Sequence, residues 1–284
     1  MPMVSMAQLL AKAEEGKYAV GAFNCNNMEI VQAIIAAATQ EEAPVIVQAS
    51  QGAIKYAGLD YIVAMTRLAA ANSPVPVALH LDHGTSFEQC MQCIRSGFTS
   101  VMIDGSKNSL EENITLSRRV FDVCRATGVS IESELGKIGG TEDDIKVEDW
   151  DALFTDPEEA EYFVKAVPVD ALAIAIGTAH GQYKGEPKLD LDRLAEIRKR
   201  VRIPIVLHGS SGVPDDAIRA AVERGVRKIN IDTNVREAFM SGVKEALAKD
   251  PNQIDPRKVL GPAKERMIEL VREKIRLFGS SHQA

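Results

Sequence analysis

The sequence predicts an α/β fold, a (β/α)8 TIM barrel with an extra C-terminal helix, running as one domain over residues 1–284. Three observations carry that prediction. Apolar runs rich in β-branched residues alternate with segments of helical period from end to end. The alternation contains eight strand-helix units, which fits the ~250 residues of a closed barrel. Polar residues also cluster after nearly every strand, and in a barrel those positions share one face. An open doubly wound sheet is the competing architecture and accounts for that clustering less well. No composition shift or linker divides the chain.

The first strand is YAVGAFN, followed by a helix from Met28 to Glu42. APVIVQAS and VPVALHLD are the second and third strands, and the helix Ser86 to Ser96 follows the third. Ser86, with Glu88 and Gln89 close behind, is its natural N-cap. TSVMIDGS then leads to a helix from Leu110 to Thr127. After the fifth strand, VSIESELG, the segment Lys137 to Asp151 is long, acidic and glycine-containing. A loop of that length in a compact domain is usually functional, so it reads as an active-site lid. A helix Pro157 to Val167, the strand ALAIAIGT and a helix Leu191 to Lys199 come next. IPIVLHGS, a helix Pro214 to Arg224 and VRKINIDT complete the alternation. Past the turn signal DPRK, Met267, Leu270, Val271, Lys274 and Ile275 stand at helical spacing. They predict a final helix from about Pro262, packing on the barrel or on a partner subunit.

Composition excludes several classes. With 33 Lys+Arg against 40 Asp+Glu the net charge is -7, which argues against nucleic-acid binding. No apolar run is long enough to span a membrane and no signal-peptide pattern opens the chain, so a soluble, cytoplasmic protein is expected. The four cysteines, Cys25, Cys90, Cys93 and Cys124, are too few and too irregular for a disulfide framework. Cys90 and Cys93 form a C-x-x-C, but within one helix and near its buried face, where a structural role is expected.

The chemistry concentrates at the strand ends: Asn24, Ser50, His80, Asp82, His83, Asp104, Glu132, Glu134, His180, His208, Asn230 and Asp232. Acids and imidazoles at buried positions cost stability unless paired or metal-bound. Three of the five histidines, His83, His180 and His208, each follow an apolar run and precede a glycine. Neutral imidazoles from three strands, leaving a fourth position open, match a catalytic metal site. Asp82 beside His83 is the candidate proton-transfer group, with His80 orienting a ligand or Asp82 from behind. HGSSGVP leads into a helix, so the N–H groups of Gly209, Ser210 and Ser211 can face an anion, and NIDTN does likewise. These two segments follow strands seven and eight, where this fold frequently binds phosphate. No lysine stands where imine chemistry needs one: Lys228 lies several residues before the end of its strand.

Taken together, the segments VGAFNCNNMEI, PVIVQASQGA, HLDHGTSFE, GFTSVMIDGS, IESELGKIGGTEDD, IGTAHGQYKGEP, LHGSSGVP, KINIDTN and DPRKVLGPA resemble the zinc-dependent class II ketose-bisphosphate aldolases, over essentially the whole chain. The resemblance implies a carbon-carbon lyase with Zn2+ on His83, His180 and His208, and with Asp104 and Glu134 at an auxiliary metal position. It implies Asp82 as proton donor. Glu142, in the acidic loop, corresponds to the carboxylate that moves the substrate's carbon-bound proton. Gly181, Gly209, Ser210, Ser211, Asn230, Ile231, Asp232 and Thr233 correspond to the binding segments for dihydroxyacetone phosphate, and Ser50 to a position near the aldehyde. Arg257 corresponds to a phosphate contact supplied by a neighbouring subunit, which implies a homodimer or homotetramer. A monovalent cation, Na+ or K+, is a further candidate ligand near the phosphate.

The implied substrate is fructose 1,6-bisphosphate in glycolysis and gluconeogenesis, with its C4 epimer tagatose 1,6-bisphosphate as the alternative, since one inverted hydroxyl alters only a contact or two. A metal-dependent hydrolase is a more distant reading and would not need two phosphate-facing loops. A non-catalytic phosphosugar-binding subunit would not need Asp82, three histidines and Glu142 together.

Overall fold

The structure is a computed structural model. It describes residues 3–142, 145–147, 154–181, 183, 185 and 187–284, with the backbone alone described for residues 140–142 and 145–147. In chain order the elements are α1 (Met6–Gly16), β1 (Val20–Asn24), α2 (Met28–Gln40), β2 (Val45–Ala49), α3 (Gln51–Ala57), α4 (Leu59–Ala71), β3 (Val77–Gly84), α5 (Phe87–Ser96), β4 (Ser100–Ile103), α6 (Leu110–Thr127) and β5 (Ser130–Leu135). There follow β6 (Gly139–Glu142), β7 (Ile145–Val147), α7 (Pro157–Ala166), β8 (Ala171–Ile174), β9 (Ala179–His180), α8 (Leu191–Arg200), β10 (Ile205–Leu207), α9 (Asp215–Glu223), β11 (Val226–Ile231), α10 (Thr233–Lys249) and α11 (Pro256–Leu277).

Every run read as a strand enters one closed parallel barrel, in the order β1-β11-β10-β8-β5-β4-β3-β2. Side chains alternate between the barrel interior and the surrounding helices. Interior residues at the N-terminal end are small or aliphatic: Val20, Ala22, Ile46, Ala78, Ala171, Ala173 and Val206 pack with Met6, Leu9 and Leu10 of α1. α1 therefore plugs this end. Ser5 starts it with a capping box to Gln8, and Ser130 Oγ accepts from the Ala7 amide at 2.9 Å. Burying each large apolar side chain of that helix stabilises the plug by roughly 1.5–3 kcal/mol.

Further along the same strands the interior becomes polar. Asn24, Gln48, His80, Asp82, Ser100, Glu132, Glu134, His208, Lys228 and Asn230 are all buried. Polarity thus rises toward the C-terminal end, where this fold carries its active sites.

Two regions differ from the sequence reading. The acidic segment after β5 is not irregular throughout: β6 pairs antiparallel with β7 and parallel with β9, placing Gly140 opposite His180. The final helix begins at Pro256 rather than near Pro262, because Asp255 accepts from the Arg257 amide and Pro256 fills the first turn. Pro262 lies inside the helix, where it forgoes one backbone hydrogen bond. The helix closes on β1, and the chain end is tied to α2 through Glu41, which meets Arg272, Arg276 and Ser281. Cys90 and Cys93 are free thiols buried in α5, and burial pushes Cys93 up to about 12, in keeping with a structural role. No helix among the described residues is long and apolar enough to cross a membrane.

Candidate active site and metal centre

A local irregularity in β3 builds the centre of the site. The ladder with β4 shifts between Leu81 and Gly84, and His83 has φ of 48°. Strict alternation would point Asp82 and His83 to opposite sides, but the bulge brings both to the barrel mouth. Gly84 is needed beside it, since a Cβ there would lie 2.5 Å from the Met102 carbonyl oxygen. Gly209 meets two demands, with φ of 60° and a hypothetical Cβ 2.6 Å from the Ala179 carbonyl oxygen. The glycines following His83 and His208 therefore mark close backbone approaches.

His83, His180 and His208 each offer a ring nitrogen within 4.8 Å of the other two. His208 Nε2 meets Glu132 Oε1 at 2.7 Å, and His83 Nδ1 meets Asp104 Oδ2 at 3.1 Å. With each of those nitrogens donating to its carboxylate, the remaining two, His208 Nδ1 and His83 Nε2, face each other at 2.9 Å as bare acceptors. Two lone pairs at that distance repel unless a cation lies between them, so the donor set fits a metal. Burial lowers the pKa of His208 even against the pull of Glu132, favouring the neutral imidazole that a metal binds.

A second group, His83, Asp104 and Glu134, shares His83. Burial alone would raise Asp104, but hydrogen bonds from His83 and Ser106 hold its carboxyl well below the usual range. Burial and the neighbouring Asp104 charge push Glu134 well above it, and Glu134 Oε2 is buried without a hydrogen-bond partner among the described residues. A carboxyl in that state also fits a cation.

Asp82 is fully buried, and three amides from three strands orient its carboxylate. Asn24 and Gln48 donate to Oδ2 at 2.8 and 3.1 Å, and Asn230 donates to Oδ1 at 3.2 Å. Gln48 also donates to Asn24 at 2.7 Å. His80 does not meet Asp82: its Nδ1 pairs with Ser100 at 2.7 Å and its Nε2 lies 3.6 Å from Glu132.

The turns after β10 and β11 lie together. Ser211 Oγ accepts from the Asn234 amide, and the Tyr183 hydroxyl accepts from Ala179 N and donates to Gly209 O, both at 2.7 Å. Tyr183 thus ties the His180 and His208 segments. Gly181 has φ of 85°, Ser210 is buried, Asp232 and Thr233 begin α10, and the Ile231 side chain belongs to the core. Ser50 caps α3 by accepting from the Ala53 amide. Arg257 stands apart at the start of α11, with its side chain 90% exposed and ion-paired with Asp255. Glu142 ends β6, and its side chain lies outside the described residues.

Sequence reasoning missed Gln48 and Tyr183, and considered Lys228 only as an imine lysine, which it set aside. Lys228 faces into the barrel and is fully buried, with Nζ 2.9 Å from Glu132 Oε2. The signal was present, because Lys228 precedes Asn230 by two residues and so shares its face.

Relatives and solved structures agree with this architecture. Residues 4–283 match the family model described as fructose-bisphosphate aldolase class-II. A fructose-bisphosphate aldolase from Geobacillus stearothermophilus is 48% identical, covering 100% of this chain and 99% of the relative. A probable fructose-bisphosphate aldolase from Bacillus subtilis is 46% identical with both chains covered in full, at 100%. The crystal structure of the YdjI aldolase from Escherichia coli K12 superposes with a TM-score of 0.87 at 31% identity, covering 98% of each chain. With the barrel, the strand-end histidines and a full-length match in agreement, this chain belongs to the class II fructose-bisphosphate aldolase family.

Proposed function

We propose that the protein catalyses the reversible cleavage of fructose 1,6-bisphosphate to dihydroxyacetone phosphate and glyceraldehyde 3-phosphate. The observation that carries this reading is the position of Asp82, oriented by three amides, in the residue before His83 of the three-histidine cluster. The names of the relatives supply the substrate.

His83, His180 and His208 would hold a divalent ion, Zn2+ by the donor set, with Asp104 and Glu134 as an auxiliary position. Such an ion supplies a Lewis acid for the substrate's carbonyl oxygen. Backbone N–H groups of Gly209, Ser210 and Ser211, with Gly181, Asn230, Ile231, Asp232 and Thr233, hold dihydroxyacetone phosphate, and a bound Na+ or K+ would supply further positive charge for the phosphate. Asp82 takes the C4 hydroxyl proton in cleavage and returns it to the aldehyde oxygen in condensation. Glu142 moves the proton on the carbon next to the ketone, and Ser50 lines the aldehyde side. Arg257, exposed on α11, reaches the phosphate in a neighbouring copy of a cytoplasmic homo-oligomer.

The test is turnover of purified protein on both epimeric bisphosphates, before and after chelation and with bound metal quantified. Cleavage of the fructose sugar that falls on chelation and returns with Zn2+ is expected. No cleavage, or equal or better turnover of tagatose 1,6-bisphosphate, would overturn the assignment.

A further inference from the structure

Lys228 is fully buried in the barrel, on the face it shares with Asn230, and the proposed chemistry leaves it without a task. Its only ion-pair partner among the described residues is Glu132, at 2.9 Å between Nζ and Oε2. The other oxygen of the same carboxylate meets His208 Nε2 at 2.7 Å. Glu132 is therefore held at one oxygen by a cation and presents the other to a metal-site imidazole. His80, fixed to Ser100, flanks this pair with its Nε2 3.6 Å from Glu132 Oε2.

Stability does not explain such a pair. A buried ion pair roughly breaks even against apolar residues of the same volume, and the interior layer beneath is aliphatic. What the pair does is directional. An imidazole whose Nε2 donates to a carboxylate has its lone pair on Nδ1, and His208 Nδ1 is the atom that faces His83.

We propose that Lys228 is a positioning residue for the metal centre: it fixes the Glu132 carboxylate so that Glu132 accepts from His208 Nε2 and leaves His208 Nδ1 as the ligand atom. This rests on the three histidines being a metal site. Partners behind a ligating histidine are typically worth about 10–100-fold in metal affinity. Lys228 is thereby assigned a counter-ion role rather than that of a nucleophile.

The test compares wild type, Lys228→Met, Glu132→Gln and the double variant Lys228→Met/Glu132→Gln. Zn2+ affinity is read by competition with a chromophoric chelator, and ligand geometry by the d–d absorption of the Co2+-loaded protein. Lys228→Met is expected to bind Zn2+ about 10–100-fold more weakly, with an altered Co2+ band. The double variant is expected to be no weaker than Glu132→Gln alone, because Lys228 acts through Glu132. An unchanged Zn2+ affinity and Co2+ band in Lys228→Met, even with a lowered melting temperature, would overturn the proposal. Should Lys228→Met not fold, the double variant, which removes both charges together, decides: wild-type Zn2+ affinity there overturns the proposal. Failure of the wild type to bind either metal would instead overturn the metal reading itself.

Discussion

Asn24 on β1 donates its side-chain amide to Asp82 Oδ2 on β3 at 2.8 Å, and Gln48 on the intervening β2 donates to both residues. Three adjacent strands are thus joined through one carboxylate. An acid fixed in this way presents its carboxylate at a single place in the barrel mouth, as the proposed proton transfer requires. Asp82→Ala is expected to keep its metal and fold while cleavage falls by about 10²–10⁴-fold, the usual worth of a positioned acid-base group. Steady-state cleavage rates beside metal analysis check this, and near-normal turnover would remove Asp82 from the chemistry.

In the proposed site His83 and His208 are metal ligands, so their loss has a different signature. His208→Ala, and likewise His83→Ala, is expected to lose bound metal and activity together. Excess Zn2+ should recover little of either. Metal content after gel filtration reads the outcome, and a variant retaining stoichiometric metal would show that its histidine is dispensable as a ligand.

The pairing of Lys228 with Glu132 bears on the imine alternative. Borohydride added in the presence of the bisphosphate substrate is expected to leave activity and intact mass unchanged. A mass increase mapped to a lysine would replace the metal-dependent mechanism with a covalent one.

Gly209 is constrained by φ of 60° and by the Ala179 carbonyl. Gly209→Ala is expected to cost about 1–3 kcal/mol for the strained backbone, with more from the clash. Because the displaced segment carries His208 and the Ser210–Ser211 turn, KM for the phosphosugar should rise along with the fall in stability. Equal stability and KM in variant and wild type would mean that the turn relaxes freely.

Glu41 anchors the chain end. The Arg276 hydrogen bonds outweigh burial and, with Arg272, hold its carboxyl at about 2, down from 4.5. A depressed folded-state value contributes stability that is fully present above the unfolded value and is lost as pH falls from about 4.5 to about 2. Glu41→Gln is expected to cost about 1.5–3 kcal/mol at pH 7, the worth of hydrogen bonds to a charged group. That difference should shrink below pH 4.5 in urea titrations, and a pH-independent difference would contradict the linkage.

Most of the barrel was legible because each strand shows an apolar run followed by polar residues, and the histidine-glycine pairs marked the mouth. The small sheet was not. GGTE and AH carry no apolar alternation, and their pairing is set by the fold around them. The start of α11 was misplaced because two prolines compete for the first turn, and only the Asp255 cap distinguishes them. Gln48 was not legible, and Lys228 was legible only as an ill-placed nucleophile, for one reason: interior polarity extends deeper than the strand ends. Their roles follow from alternation counted backward from Ser50 and Asn230.

The pairing of β6 with β9 sets limits on how this chain can vary in length. Gly140 sits opposite His180, and Glu142 is two residues beyond it on the same strand. Inserting or deleting one residue between Gly140 and Glu142 would shift the glutamate's backbone position in the ladder relative to His180. Residues added beyond Glu142 would leave that register intact. Homologous chains are therefore expected to hold the spacing on the near side of this glutamate constant and to concentrate their insertions on its far side.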